Sequence, residues 1–144
     1  MTDPIALARA CAEAMWAEDR ASAGLGMQME SVGPGHAVLS MAVADSMVNG
    51  HGICHGGFIF TLADSAFAYA CNSHGERAVA QHCAITYLRA GRRGEVLRAE
   101  AIERARAGRT GLTDVRVVGD DGTVVAELRG QSRLTGGKFH PTEG

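Results

Sequence analysis

The stretch from Asn49 to Asp64 reads NGHGICHGGFIFTLAD and indicates both the fold and the chemistry of this chain. Its first nine residues include four glycines, and the apolar run that follows predicts a buried helix over 58–72. Glycines leave backbone N–H groups accessible, and such groups at a helix N-terminus stabilise negative charge. Asp64 is the lone carboxylate of this helix, where an acid needs a partner or a function. Together these features predict chemistry on a carbonyl group.

The segments on either side predict a single α+β domain, in which one strongly curved antiparallel sheet wraps the central helix. Asp3 and Pro4 are typical of a helix start, and an apolar face continues to about Asp19. Alternating or β-branched residues predict six strands, over 27–32, 36–44, 79–88, 96–106, 112–118 and 124–134. We assign the domain to 1–135 and expect 136–144 to be a loose polar tail. A sheet of this kind leaves an edge and an outer face uncovered, which favours self-association.

The composition argues against several classes of function. The 144 residues have a net charge of −2, and 46% are hydrophobic and 21% charged, which favours neither nucleic acid nor an anionic membrane as a partner. No apolar run approaches the ~20 residues of a membrane helix, and no signal-peptide pattern opens the sequence. The four cysteines are widely spaced, so we expect reduced thiols and a cytoplasmic protein.

Five motifs stand in order along the chain: Asn49, then HGG at 55–57, LAD at 62–64, ITYLR at 85–89 and LRGQS at 128–132. Together they resemble the hotdog-fold acyl-CoA thioesterases, in particular their phenylacetic-acid-degradation (PaaI-type) branch. The resemblance implies the hotdog fold and hydrolysis of an acyl-CoA, with aryl-acetyl-CoA as a candidate substrate class. It implies that Asp64 is the catalytic general base or nucleophile and that the Gly56 N–H polarises the thioester carbonyl. His55 stands beside that N–H, and Asn49 is a polar residue of the same loop.

The CoA end of such a substrate would suit a band of arginines. Seven arginines against three glutamates lie in this band: Arg89, Arg92, Arg93, Arg98, Arg104, Arg106 and Arg109, with Glu95, Glu100 and Glu103. Arginine is well suited to phosphate, although a solvated strand face is an equally good interpretation of any one of them. Within the band, the resemblance favours Arg109, Thr110 and Gly111 as CoA contacts.

The acyl end is less well defined by the resemblance. Gln81 and His82 stand in the strand after the helix, where the family often has a small hydroxyl residue. We include both as candidate substrate-binding residues and leave open which partner positions the water or the acyl group. Ala90 replaces the proline that usually follows the Leu-Arg pair, a change that we expect to be harmless.

The spacing within the central stretch predicts an assembly. Eight residues separate Gly56 from Asp64, which is ~12 Å along a helix. Reacting groups must lie ~3–3.5 Å from the substrate carbon, so one helix cannot present both residues to the same carbonyl. The N–H of Gly57, a second candidate oxyanion donor, lies almost as far from Asp64. We therefore expect an obligate dimer with two shared active sites, which would further associate into a tetramer.

Several alternatives stay open at this point. His51, Cys54 and His55 could be metal ligands, but a fourth ligand is missing and we expect neither a metal nor a cofactor, since CoA is part of the substrate. His55 could serve only to shape the loop, and Asp64 could be a satisfied core carboxylate. The chain could instead be a hotdog dehydratase or hydratase that uses a histidine with an acid. It could also be a non-catalytic module that binds acyl-CoA.

Overall fold

The computed structural model describes residues 3–139 and shows one antiparallel sheet around a central helix. The elements in chain order are α1 (Pro4–Trp16), α2 (Arg20–Gly24), β1 (Gln28–Gly33), β2 (His36–Ala42), a short 3-10 turn (Asp45–Met47), α3 (Gly56–Cys71), β3 (Glu76–Tyr87), β4 (Val96–Ala107), β5 (Thr110–Val118) and β6 (Val124–Lys138). The sheet has six strands in the order β1-β2-β4-β5-β6-β3, and every neighbouring pair is antiparallel. This confirms the predicted α+β architecture, with β1 and β3 at the two edges.

Helix α3 lies in the concave face of the sheet because it is apolar on almost every side. Ile59, Leu62, Ala63, Ala66 and Phe67 are buried and form the centre of the hydrophobic core with inward-facing residues of all the sheet's inner strands. The helix begins two residues earlier than predicted, since a side-chain cap described below holds its first turn. Burying the apolar surface of this helix is therefore a main reason why the sheet curves around it.

The N-terminal helical region differs from the prediction in its length. The Asp3 carboxylate accepts a hydrogen bond from the Ala6 N–H at 3.0 Å, as expected of an N-cap. However, α1 ends at Trp16 rather than near Asp19. Asp19 instead caps the separate helix α2 by accepting from the Ser22 N–H, because an acidic side chain outside a helix satisfies exposed N–H groups better than one inside it.

The end of β6 corrects the predicted domain boundary. We expected a loose tail from residue 136, but β6 continues to Lys138, which pairs with Glu76 of β3. Gly136 has a φ of 94°, so the strand passes through a conformation that glycine adopts without strain. The Phe139 N–H then donates to the Gly75 carbonyl at 3.0 Å, and the Phe139 side chain is buried. Residues 136–139 thus belong to the domain, while 140–144 lie outside the described residues.

The cysteines and the lengths of the helices bear on two expectations from composition. All four cysteines are free; Cys11, Cys54 and Cys71 are buried and Cys83 is half-buried. Burial raises the pKa of each thiol, so these side chains stay protonated in the core. Within residues 3–139, no helix combines the length and the apolar character that crossing a membrane requires.

Candidate active site

The loop before α3 is organised by Asn49. Its side-chain Oδ1 accepts hydrogen bonds from the His51 N–H at 2.9 Å and from the Ile53 N–H at 3.4 Å. Its own backbone N–H donates to the Ile53 carbonyl at 2.9 Å, which closes a compact turn. A side-chain oxygen that bonds the following backbone is a common way for asparagine to fix a turn. Asn49 thereby holds the chain that leads into the helix.

His55 is the N-cap of α3 and decides which glycine N–H is left free. Its Nδ1 accepts a hydrogen bond from the Gly57 N–H at 3.0 Å, and its carbonyl accepts from the Phe58 N–H at 3.0 Å. Within residues 3–139, no hydrogen-bond acceptor is present for the Gly56 N–H. The sequence left both Gly56 and Gly57 as candidate oxyanion donors. Because the Gly57 N–H already donates to His55, Gly56 is the better candidate.

Tyr87, at the end of β3, packs directly on Gly56. Its hydroxyl donates to the Gly56 carbonyl at 2.9 Å, and a Cβ added to Gly56 would lie 3.0 Å from the Tyr87 ring. The aromatic ring therefore occupies the space of a side chain at position 56. Sequence reasoning did not single out Tyr87 as a site residue, because 31 residues separate it from Gly56 and only the pairing of β3 with β6 places it there.

Asp64 lies half-buried on α3, and burial raises the pKa of its carboxyl. Within residues 3–139 the carboxylate has neither a hydrogen-bond donor nor a basic partner. The Cys83 thiol of β3 lies close enough for Asp64 to add to the rise in its pKa, after burial as the main cause. Asp64 is therefore a partly desolvated acid that lacks the hydrogen-bond partners expected of a structural core carboxylate.

Gly56 and Asp64 are not brought together within one chain. Both belong to the continuous helix α3, so the eight-residue spacing corresponds to ~12 Å. Thr61, Asp64, Ser65 and Ala68 form a half-buried stripe along this helix. Asn72, which the sequence places on the same stripe, is buried instead, since its side chain bonds the Ala78 backbone on both sides.

Comparison with known proteins identifies the family. A model of the thioesterase superfamily matches residues 51–126, which is more than half of the chain. The chain belongs to the thioesterase superfamily. The acyl-coenzyme A thioesterase PaaI of Escherichia coli is 45% identical to this thioesterase-superfamily chain over 126 residues, which cover 88% of the chain and 90% of PaaI.

Solved structures of relatives support the same assignment. The structure of E. coli PaaI, from the phenylacetic acid degradation operon, matches this superfamily member with a TM-score of 0.93 and 42% identity, covering 96% of this chain and 100% of PaaI. A Streptococcus mutans protein bound to acetyl-CoA matches with a TM-score of 0.76 and 30% identity, covering 78% of this chain and 91% of that protein. The predicted hotdog fold and family are thus confirmed.

The candidate acyl-side residues of this superfamily member lie on the exposed edge strand. Gln81 occupies a β-bulge in β3, where the register shifts between Ala80 and His82. Gln81 and His82 are both exposed in the single chain. A bulge redirects side chains and twists a strand, so it determines which of these residues faces the helix side of the sheet.

The candidate CoA contacts lie at the other end of α3. Arg109 lies in the turn from β4 into β5, and Thr110 and Gly111 begin β5, beside Cys71 at the helix C-terminus. Gly111 approaches β6 so closely that an added Cβ would lie 2.8 Å from the Ser132 hydroxyl oxygen. The structure therefore separates these residues from Gly56 by the length of the helix.

The arginine band is mostly engaged in ion pairs. Six of its seven members have a carboxylate oxygen within 4.0 Å, whereas Arg109 has none within residues 3–139. Arg89 in particular bonds the buried Glu95 at 2.6 Å and Asp121 at 3.0 Å. Arg89 therefore fits the alternative interpretation, in which an arginine of the band stabilises the structure rather than binding CoA. Arg109 lacks a carboxylate partner within residues 3–139 and is available to bind an external anion.

One cluster of carboxylates has the spacing of a metal site. In the described part of the chain, the ligand atoms with metal-site spacing belong to Glu95, Asp120 and Asp121, and not to the His51, Cys54 and His55 group. Two of these carboxylates, those of Glu95 and Asp121, already contact the Arg89 guanidinium, which supplies their positive charge.

Proposed function

We propose that the chain hydrolyses acyl-CoA thioesters with Gly56 as the oxyanion donor and Asp64 as general base or nucleophile. The observation that carries this proposal is the free N–H of Gly56 at the N-terminus of α3, beside a Gly57 N–H that His55 already caps. A donor fixed in this way does not need to reorganise as negative charge develops on the thioester oxygen. The helix dipole adds to the stabilisation.

Asp64 supplies the second requirement of the reaction. In the general-base route it takes a proton from water, and the water oxygen adds to the carbonyl carbon. The C–S bond then breaks, the CoA sulfur leaves as a thiolate that takes up the proton, and the free acid is released. A carboxyl whose pKa is raised by burial is a stronger base than an ordinary aspartate. The nucleophile route would use the same side chain through an anhydride.

His55 and Asn49 act on Gly56 through the backbone. His55 holds the first turn of α3, and Asn49 holds the preceding loop, so that both fix the direction of the Gly56 N–H. Gly57 contributes its N–H to the cap rather than to the substrate. These roles agree with a thioesterase, whereas a hotdog dehydratase or a binding module has no specific observation in its favour.

The working unit we propose is a dimer with two shared sites, which associates further into a tetramer. The ~12 Å along α3 requires Gly56 of one chain to meet Asp64 of another. The edge strand β3 supports this arrangement, since Val79 and Tyr87 are 55% and 47% exposed in the single chain and Leu88, which directly follows the strand, is 59% exposed. Exposed apolar side chains along an unpaired edge are typical of a surface that another chain covers.

The acyl group we propose is of the aryl-acetyl type, since a close relative comes from a phenylacetic acid degradation operon. Gln81 and His82 are the candidate residues on the acyl side. We further propose a cytoplasmic enzyme that requires no metal or separate cofactor and has neither nucleic acid nor membrane as a partner.

Thiol release from a panel of acyl-CoA thioesters tests the reaction. Phenylacetyl-CoA should be hydrolysed, and the Asp64→Asn variant should lose ~10²-fold or more in kcat. Binding of the substrate without thiol release would indicate the acyl-CoA-binding module. Undiminished activity in Asp64→Asn would remove Asp64 from the mechanism.

Mixing two inactive variants tests the shared site. Gly56→Pro removes the donor N–H, yet proline is tolerated at the first helical position and His55 already has the extended backbone that precedes proline (φ −60°, ψ 133°). When Gly56→Pro chains exchange with Asp64→Ala chains, half of the dimers become mixed and each has one intact site, so roughly a quarter of the activity should return. Recovery of no activity on verified mixed dimers would contradict the shared site.

A further inference from the structure

A chain of hydrogen bonds ends at Ser65, the residue that follows Asp64 on α3. The Ser65 and Ser22 hydroxyl oxygens lie 2.8 Å apart, and the Ser22 hydroxyl donates to the Asp19 carboxylate at 2.7 Å. The Tyr69 hydroxyl donates to the same Asp19 oxygen at 2.9 Å. Ser22 and Tyr69 are each 1% exposed, so most of this chain of hydrogen bonds lies inside the protein. It joins the segment around α2 to the helix that carries Asp64.

The Asp19 end fixes the direction of these hydrogen bonds. A carboxylate has no proton to donate, so Ser22 and Tyr69 are both donors to Asp19. Burial, followed by the hydrogen bond to Asp19, raises the pKa of the Tyr69 hydroxyl, which therefore keeps its proton. The single proton of Ser22 is already engaged, so between the two serines Ser65 donates and Ser22 accepts. The Ser65 oxygen keeps its lone pairs, and cooperative hydrogen bonding makes it a stronger acceptor.

Ser65 and Asp64 open onto the same half-buried stripe of α3. Over 61–71, the residues that are half-buried rather than buried are Thr61, Asp64, Ser65 and Ala68. Successive residues are rotated by about 100° around a helix axis, so the small side chains of Thr61 and Ala68 lie between the other two. Asp64 is on the side of β3, and Ser65 is on the side of α2. The stripe therefore has an acid along one side and a hydroxyl along the other.

The half-buried stripe presents hydrogen-bond acceptors. The Asp64 carboxylate accepts, and so does the Ser65 oxygen, whose proton is already engaged. The Thr61 hydroxyl donates its proton to the Gly57 carbonyl at 2.9 Å, and Ala68 adds only a methyl group. A molecule held between Asp64 and Ser65 must therefore donate two hydrogen bonds, and water is the smallest molecule that does so. With both hydrogens held, a lone pair of the water oxygen is left for a carbonyl carbon placed over the stripe.

We propose that the Ser65 oxygen and the Asp64 carboxylate together hold the attacking water. Ser22 and Asp19 are positioning residues, which keep the Ser65 proton turned away from that water. The inference rests on the proposed function and selects its general-base route. It also assigns the water-positioning partner that the sequence left open.

Each hydrogen of the water has a defined course in this reaction. One proton passes to Asp64 as the water oxygen adds to the carbonyl carbon. The other hydrogen stays on that oxygen, where Ser65 accepts its hydrogen bond. The C–S bond then breaks, the CoA thiolate takes the proton from Asp64, and the second hydrogen leaves with the acid.

Kinetics of serine variants test the contact. Ser65→Ala should lower kcat about tenfold or more with KM within about twofold, whereas Ser65→Thr keeps the oxygen and should recover most of the activity. Ser22→Ala should lower kcat about threefold or more in the parent, but no further in a Ser65→Ala background. Ser73→Ala is the matched control, since it removes a buried hydroxyl that bonds Gly35 and Ala70, and it should leave kcat unchanged.

Competition between water and methanol separates this role from a purely structural one. Methanol has one O–H hydrogen, which Asp64 accepts, and a methyl group in place of the hydrogen that Ser65 would hold. In a water–methanol mixture, Ser65→Ala should therefore raise the ratio of methyl ester to free acid about tenfold. Ala68→Gly enlarges the stripe without removing an acceptor, so its product ratio should match the parent's. A ratio that is unchanged in Ser65→Ala, or that rises equally in Ala68→Gly, overturns the proposal.

A high-resolution crystal structure tests the water without relying on turnover. At a pH where Asp64 is ionised, an ordered water should lie within hydrogen-bond distance of the Asp64 carboxylate and the Ser65 oxygen, and Ser65→Ala should lose it. Absence of this water from the parent overturns the proposal. If the water were present but no thioester were hydrolysed, the water site would stand and the reaction would fall. If hydrolysis occurred and Ser65→Ala kept the kcat of the parent while Thr61→Val lowered it, this proposal would fall and the reaction would stand.

Discussion

The Tyr87 hydroxyl donates a hydrogen bond of 2.9 Å to the Gly56 carbonyl, and its ring fills the space where a side chain of residue 56 would be. This contact joins the edge strand β3 to the first turn of α3, although 31 residues separate the two positions. The Gly56–Gly57 peptide, which directly follows the candidate oxyanion donor, is therefore held from two sides, by the His55 cap on its N–H and by Tyr87 on its carbonyl. Glycine is required at position 56 for lack of space rather than for an unusual backbone angle.

Substitution of Gly56 should show that this position and Tyr87 depend on each other. Gly56→Ala places a Cβ 3.0 Å from the Tyr87 ring and should displace it, at a cost of about 1 kcal/mol in the free energy of unfolding. In a Tyr87→Ala background the same substitution should cost much less, as measured by denaturant unfolding in a double-mutant cycle. Equal costs in the two backgrounds would show that the ring does not restrict position 56.

A comparison of Gly56→Ala with Gly56→Pro isolates the N–H itself. Both variants add a Cβ, but only proline removes the donor. We expect kcat to be ~10²–10³-fold lower in Gly56→Pro than in Gly56→Ala, as measured by thiol release. Similar kcat values in these two variants would assign the oxyanion donor to another group.

The raised pKa of Asp64 has consequences of opposite sign for activity and stability. The base must be deprotonated, so activity should fall as the pH drops through a pKa above the usual aspartate range. Because the pKa is higher in the folded than in the unfolded state, stability decreases as the pH rises through the window between the two values. Asp64→Asn should therefore be more stable than the parent at pH 7. This difference should vanish below the pKa of the unfolded state, as followed by thermal unfolding across pH.

The Arg89–Glu95 pair, in the connection that leads from β3 into β4, should make a large contribution to stability. Glu95 is buried and accepts from the Arg89 guanidinium at 2.6 Å and from the Arg92 N–H at 3.0 Å, and its pKa is lowered to about 2, chiefly by Arg89. Glu95→Gln should cost about 3 kcal/mol in the free energy of unfolding. The stabilisation should be complete above about pH 4.5 and lost as the pH falls towards 2.

An exposed ion pair of the same chain is the control for that measurement. The Arg93 Nε lies 3.2 Å from Asp45, but both side chains are more than half exposed. Asp45→Asn should change the free energy of unfolding by less than about 0.5 kcal/mol, because solvent screens the pair. A loss as large as that of Glu95→Gln would refute the argument from burial.

The close contact of the Phe67 ring with Gly130 should prevent any larger residue from fitting at position 130 without a loss of stability. A Cβ on Gly130 would lie 2.7 Å from the Phe67 ring, which is 1% exposed and has no room to move. Gly130→Ala should destabilise the protein by about 1–3 kcal/mol, and Phe67→Leu should relieve part of that cost. Gly24→Ala is the control, since Gly24 lies in α2 with no atom within 4 Å of an added Cβ, and it should be neutral or slightly stabilising.

Sequence patterns predicted a helix or strand well where its hydrogen bonds and its apolar face depend on residues close together in the chain. The N-cap at Asp3, the apolar run of α3 and the alternation in β6 specify their structures from neighbouring residues alone. The helix near Asp19 was predicted too long because the carboxylate of Asp19 finds partners in Ser22 and, 50 residues away, in the Tyr69 hydroxyl. The end of β6 was predicted as a tail because its pairing partner Glu76 is distant in sequence.

The candidate site also has features that the sequence predicts and features that depend on distant contacts. Gly56, His55 and Asp64 could be identified from their motif, and their spacing along one helix could be converted into a distance. The choice between the N–H groups of Gly56 and Gly57 could not be made, since it depends on the orientation of the His55 ring. Nor could the partners of the arginines be predicted, because they lie on neighbouring strands.

The sequence by itself determined that a glycine-rich turn opens a buried helix bearing one acid, since helix periodicity and capping depend on residues within a few positions of one another. Only the tertiary structure decided that the Gly56 N–H is the free donor, that Tyr87 packs on Gly56, and that Arg109 has no carboxylate oxygen within 4.0 Å among residues 3–139. The physical reason is that strand pairing and side-chain contacts join residues far apart in the chain. Such contacts leave no periodic pattern in the sequence.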